Sequence, residues 1–187
     1  IFLSFFSTIY YQYNYIDNRR FMDLDGVNIK NAIDAKILDK KFNRLKWITV
    51  YYPDDPEKEI SKLQEAIKII KNDNRNKTLV TDYQFISVFL STYDYSPNFA
   101  WHEGVTYPSL FHSADINYQK NFEIYRNFFI GKLNENKIEV VYTIKPFTGL
   151  AADDVFKSVL DKNCVKKTVL TNILNRYLIH KCNDLKY

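Results

Sequence analysis

Asp55-Pro56-Glu57-Lys58-Glu59-Ile60 opens, and Lys77-Thr78-Leu79-Val80-Thr81-Asp82-Tyr83 closes, the stretch whose reading decides the fold. Asp55 suits an N-cap, Pro56 the first helical position, and Glu57 and Glu59 the positive end of a helix dipole. Ile60, Leu63, Ile67 and Ile70 recur at helical spacing through Lys71, and the Asn-rich run from Asn72 to Asn76 ends that helix. The β-rich run at 77–83 follows. A strand–helix–strand unit results when Lys46-Trp47-Ile48-Thr49-Val50-Tyr51-Tyr52, stopped by Pro53, is read as the strand before it.

Working outward, Asn28 to Phe42 predicts a helix with Ile29, Ala32, Ile33 and Ile37 on one side. After 83 comes a short apolar helix, Phe85 to Leu90, then a stretch without periodicity from Ser91 to Ile116. Tyr118, Phe122, Tyr125, Phe129 and Leu133 form the clearest apolar stripe in the chain. Lys137 to Ile144 predicts a third strand, and Asp153 to Asp161 a helix. Val169 to Ile179 is apolar at helical spacing but is also compatible with a strand. Strands alternating with long helices imply βαβ units. The expected fold is α/β: a three-layer Rossmann-like domain with a mostly parallel sheet flanked by helices.

The chain has 187 residues, 46% of them hydrophobic and 26% charged, the balance of one folded domain. Its net charge of +4 is mild and its lysines are dispersed, which excludes a nucleic-acid track. Fifteen Tyr and many Lys, Asn and Ile are the bias of an AT-rich coding sequence and carry no function by themselves. Cys164 and Cys182 have no metal-type spacing; they fit a disulfide, two buried thiols or one of each. His102, His112 and His180 form no ligand pattern with them, so no metal or cofactor is expected.

The first residues, Ile1-Phe2-Leu3-Ser4-Phe5-Phe6-Ser7-Thr8-Ile9-Tyr10-Tyr11, are apolar over about half a bilayer's span. With Tyr13 and Tyr15 they resemble the aromatic collar of a membrane interface. The expectation is that 1–15 is the end of a truncated transmembrane segment and 16–187 a single soluble α/β domain, the chain being a fragment attached to the membrane. A buried strand or core helix is the competing reading of so short a run.

Ligands of open parallel sheets bind beyond the carboxyl ends of the strands. That rule gathers Tyr52, Asp82, Tyr83, Gln84 and Lys145 at one edge. The long stretch carrying Asn98, Trp101, His102, Glu103 and Tyr107 leaves from the same edge. These ten residues are the candidate ligand-binding set; no catalytic residue is assigned. Asp23-Leu24-Asp25-Gly26 is the other candidate, because haloacid-dehalogenase-type enzymes present a nucleophile and an acid as Asp-x-Asp. Only Phe21 and Met22 precede it where a buried strand is needed, so a turn before Asn28 is the preferred reading.

Several runs carry a family resemblance: Arg19-Arg20-Phe21-Met22-Asp23-Leu24, Leu45-Lys46-Trp47-Ile48-Thr49, Thr81-Asp82-Tyr83-Gln84-Phe85, and Ser96-Pro97-Asn98 with Trp101 and Tyr107-Pro108. From about Arg19 to Ile144 the chain resembles the C-terminal soluble domain of bacterial polytopic glycosyltransferase-like proteins. These are similar to the lipid-linked-sugar-dependent transferases of the protein-mannosyltransferase and oligosaccharyltransferase kind. The resemblance implies an extracytoplasmic accessory domain that binds a glycan or lipid-linked sugar, the catalytic acid lying in a membrane loop outside this chain. Arg19-Arg20 after the apolar segment points the other way, to the cytoplasmic side. The alternatives are a membrane-anchored α/β hydrolase-type enzyme and a non-catalytic partner-docking module.

Overall fold

The structure is a computed structural model and describes residues 2–13, 27–49, 51–81, 83, 85–86, 90, 116–145 and 164–180. The chain divides into two compact units, Ile1–Gln64 and Glu65–Tyr187.

In the first unit, α1 (Phe2–Tyr11) is a ten-residue helix with no buried residue. A two-stranded antiparallel sheet pairs β1 (Ile33–Asp34) with β2 (Lys46–Trp47). Between 28 and 42 the expected helix is replaced by three short 3₁₀ turns, Ile29–Asn31, Ala35–Ile37 and Lys40–Phe42. The cause is local. Asn28, Asp34 and Asp39 each accept, through Oδ1, the backbone N–H two residues on. Each side chain thereby captures a donor that a continuous helix would use, and restarts the chain. The next connection turns back at Arg44, whose φ of 74° is left-handed, with Leu45 N–H bonded to Phe42 O. The strand expected over 46–52 ends at Trp47, and Tyr51 N–H folds onto Thr49 Oγ1 instead.

Helix α2 (Pro56–Lys71) forms as its cap signals predict, with Asp55 Oδ1 accepting from Lys58 N–H. Ile60 and Leu63 are buried in its first half; Ala66, Ile67 and Ile70, within the second unit, are buried in its last turns.

The second unit is built on a four-stranded sheet in the order β3-β4-β6-β5. Its strands are β3 (Lys77–Thr81), β4 (Val140–Ile144), β5 (Val165–Val169) and β6 (Leu174–Ile179). β3 and β4 are parallel; β4 with β6, and β6 with β5, are antiparallel. Every residue of β3 and β4 is buried. Helix α3 (Ile116–Glu135) lies in the connection between β3 and β4. Phe129 and Leu133 of the expected stripe are buried, each such burial contributing about 1.5–3 kcal/mol. The side chains of Tyr118, Phe122 and Tyr125 lie outside the description. α3 closes at Lys137, with φ 52°, where Lys137 N–H bonds Asn134 O and Ile138 N–H bonds Leu133 O. Ile138 and Leu133 are both buried, completing a Schellman stop. Lys137 therefore ends a helix, and the strand begins at Val140.

The three-layer Rossmann-like expectation is corrected. One strand pair is parallel and two are antiparallel, the first expected strand belongs to a separate antiparallel sheet, and the described residues hold three α-helices. The decisive segment is 165–179, which forms a hairpin, so 169–179, compatible in sequence with helix or strand, supplies its turn and second strand. Thr171 Oγ1 accepts from Ile173 and Leu174 N–H, fixing a tight turn that returns β6 along β5. The helix expected over 153–161 lies outside the described residues.

Candidate functional site

Of the ten predicted site residues, Tyr52, Tyr83 and Lys145 are described; Asp82, Gln84, Asn98, Trp101, His102, Glu103 and Tyr107 lie outside the described residues. Tyr52 belongs to the first unit, where Lys62 Nζ donates to its hydroxyl at 2.7 Å and lies 4.6 Å from the ring centroid. Tyr83 is a buried residue of the second unit, its N–H bonded to Thr81 Oγ1 and its ring edge-on to Phe85 at 5.9 Å. Lys145 is exposed, and its N–H bonds Ile173 O. Asp23 and Asp25 also lie outside the described residues.

The described polar cluster sits elsewhere, on the connection into the amino end of β3. Helix α2 stops as Asp73 N–H bonds Ile70 O, and Asp73 Oδ1 then accepts from Arg75 N–H, an Asx turn. Lys77 Nζ donates to Asp73 O at 2.8 Å, pinning the turn to the start of β3. The Asp73 carboxylate receives the Arg75 guanidinium in a two-point pair, Nε to Oδ1 at 2.8 Å and Nη2 to Oδ2 at 2.7 Å. Tyr142, in the middle of β4, donates its hydroxyl to Asp73 Oδ2. On β4's other side Tyr142 pairs in register with Arg176 of β6.

The electrostatics follow from this arrangement. The Arg75 guanidinium holds the Asp73 carboxyl far below the usual carboxylate range, with the Tyr142 hydrogen bond assisting against partial burial. Asp73 in turn raises Arg75 above its ordinary value. Burial pushes the Tyr142 phenol up to about 12, reinforced by its bond to ionised Asp73. Tyr142 is therefore a neutral donor, and Asp73 a fixed anion, throughout the physiological range.

Ile69, Asn72, Asp73, Asn74, Arg75, Tyr142 and Arg176 line an open depression of about 390 Å³. Among the described lining residues Asp73 is the one carboxylate, set against two guanidinium groups. Arg176 is partly buried, and its Nε is sealed from solvent with no hydrogen-bond partner among the described residues. No group of three or more His, Cys, Asp or Glu gathers among the described residues. In the sequence alone, 72–76 reads as a helix stop. The available signal was an Asp-x-Arg pair in that stop; the contributions of Tyr142 and Arg176 depend on the pairing of β4 with β6.

No protein-family model matches this chain, and no curated protein or solved structure is significantly similar to it.

Proposed function

We propose that this chain is a non-catalytic accessory domain that binds a glycan or lipid-linked sugar beside a membrane, with the ligand in the Asp73–Arg176 depression. The observation that carries this reading is the lining itself. A sugar hydroxyl both donates and accepts, so it is matched by neighbouring donors and acceptors. Arg75 and Arg176 supply donors, the amides of Asn72 and Asn74 supply both donors and acceptors, and Asp73 holds the Arg75 guanidinium in place. The opening suits one end of an extended ligand rather than an enclosed small molecule. Glycosidic cleavage needs a pair of carboxyl groups, and Asp73 has no carboxylate neighbour among the described lining residues.

Two further features support the membrane-side, extracytoplasmic setting. Phe2, Leu3, Phe5, Phe6 and Ile9 are exposed on α1, a contiguous apolar surface. Cys164 is disulfide-bonded, which fits an oxidising compartment. No helix among the described residues is long and apolar enough to cross a membrane. The glycosyltransferase setting rests on the sequence resemblance.

The test is a titration of the isotopically labelled chain with a neutral oligosaccharide and with a short-chain polyprenyl-diphosphate sugar. Saturable shifts of the Asn72 and Asn74 side-chain amides are expected, with binding weakened at least fivefold in Asn72→Ala/Asn74→Ala. Absence of shifts with both probes overturns the reading. Flotation with lipid vesicles, lost in Phe5→Asp/Phe6→Asp, checks the membrane side.

A further inference from the structure

We infer that the depression contains an oxyanion subsite at Arg176, so that its ligand carries a phosphate or carboxylate group. This rests on the depression being a ligand site, but not on the ligand being a glycan. The two arginines of the lining differ in one respect. Arg75 is charge-paired: Asp73 takes its Nε and Nη2 at 2.8 and 2.7 Å and balances its charge. The Arg176 side chain has no ion pair and no hydrogen bond among the described residues, and its Nε–H is buried without an acceptor. With one carboxylate against two guanidinium groups, the described lining residues carry one excess positive charge.

A buried donor without an acceptor destabilises its host. A guanidinium offers two parallel N–H groups that match a carboxylate or phosphate edge. A ligand oxyanion meeting the Arg176 head in the depression compensates its charge. Asp73 cannot do so, because both its oxygens are engaged by Arg75 and Tyr142. It also sets the polarity of the site: fixed as an anion, it repels a second negative charge from the Arg75 side and leaves Arg176 as the anion's place. Tyr142 lies between them in the strand order and presents a hydroxyl that stays protonated.

The experiment follows the Arg176 Nε–H resonance of the full chain during titration with inorganic pyrophosphate, glucuronate, a neutral oligosaccharide and phosphatidylglycerol vesicles. The expected result is a saturable shift and slower solvent exchange of that signal with pyrophosphate or glucuronate. Arg176→Gln should weaken anion binding at least tenfold, and Arg176→Lys, which keeps charge but loses the fork, should be intermediate. Circular dichroism confirms folding of both variants; the wild-type resonance serves as the readout if either fails to fold. A shift with vesicles alone identifies a lipid headgroup as the source of the oxyanion and supports the subsite. Anion binding without oligosaccharide binding supports the subsite and removes the glycan reading. An unmoved Arg176 signal with all three anionic probes, or equal affinity in Arg176→Gln, overturns the subsite, whatever the neutral sugar does.

Discussion

The Tyr142 hydroxyl, in the buried centre of β4, donates to Asp73 Oδ2 on the connection into β3, 69 residues away in sequence. Burial of a phenol leaves its O–H in need of an acceptor, and Asp73 supplies a charged one. The same carboxylate holds Arg75, so one anion organises a strand residue and the turn before the neighbouring strand.

The alkaline limit of stability should report this bond. Tyr142 titrates at about 12 in the folded chain against an ordinary value near 10. A raised folded value means that the contribution is fully present below pH about 10 and is lost as pH rises through about 12. The two-unit difference corresponds to about 2–3 kcal/mol. Urea unfolding between pH 8 and about 12 checks it. Tyr142→Phe should lower neutral-pH stability by about 1–2 kcal/mol and flatten the alkaline decline.

Asp73 governs the acid side. Its folded value is depressed, so its contribution is present above the unfolded carboxylate value near 4 and is lost as pH falls below it. Asp73→Asn should cost about 1–3 kcal/mol at pH 7, by losing charge-assisted bonds to Arg75 and Tyr142. Unfolding curves from pH 7 to 2 should show a shallower acid decline in the variant than in the wild type.

In the first unit, Glu59 is 2% exposed and accepts from Trp47 Nε1 at 2.7 Å and Thr49 Oγ1 at 3.1 Å. Both donors come from the segment around β2, so this buried carboxylate ties that segment to α2. Glu59→Leu should destabilise by about 1–3 kcal/mol, since it leaves two donors unmatched. A double-mutant cycle with Trp47→Phe should return a coupling above about 0.5 kcal/mol. A coupling near zero would remove the role given to the pair.

Cys164, buried at the start of β5, bonds through its carbonyl to His180 N–H beyond β6. Its disulfide should add about 2–4 kcal/mol, read as a lower urea midpoint in reductant. Cys164→Ser should match the reduced wild type and show no further response to reductant.

The parts of this fold legible in the sequence were those with both a local signal and a matching environment. Asp55-Pro56 starts α2 and the Ile and Leu spacing runs through it, so propensity, cap and burial agree. The runs at 77–81 and 140–144 are rich in the β-branched residues Thr, Val and Ile and form buried strands. The 28–42 segment misled because Asn28, Asp34 and Asp39 are compatible with helical periodicity while their side chains compete for its amides. Leu170, Ile173, Leu174, Tyr177 and Leu178 also fall at helical spacing, yet Thr171 turns the chain between them. With that hairpin unread, Arg176 had no neighbour, and its meeting with Tyr142 and the Asp73 turn was invisible. The expected edge at the carboxyl ends of the strands rests mainly on residues outside the description, and Tyr83 is satisfied locally.

The position of β4 between β3 and the β5–β6 hairpin orders the acquisition of structure in time. A hairpin closes over a short loop in microseconds, whereas joining distant strands first incurs a large loop-closure entropy. Thr81 and Ile144, partners in the parallel pair, are 63 residues apart. The sheet should therefore grow from its antiparallel side, with β4 docking on β6 and β3 arriving last. Pulsed hydrogen-exchange labelling during refolding should protect amides of Leu174–Ile179 before those of Lys77–Thr81, and the opposite order would refute this sequence. Because the Asp73 turn is joined to β3, the depression would be the last feature of the unit to mature, and the first to be lost when β3 detaches.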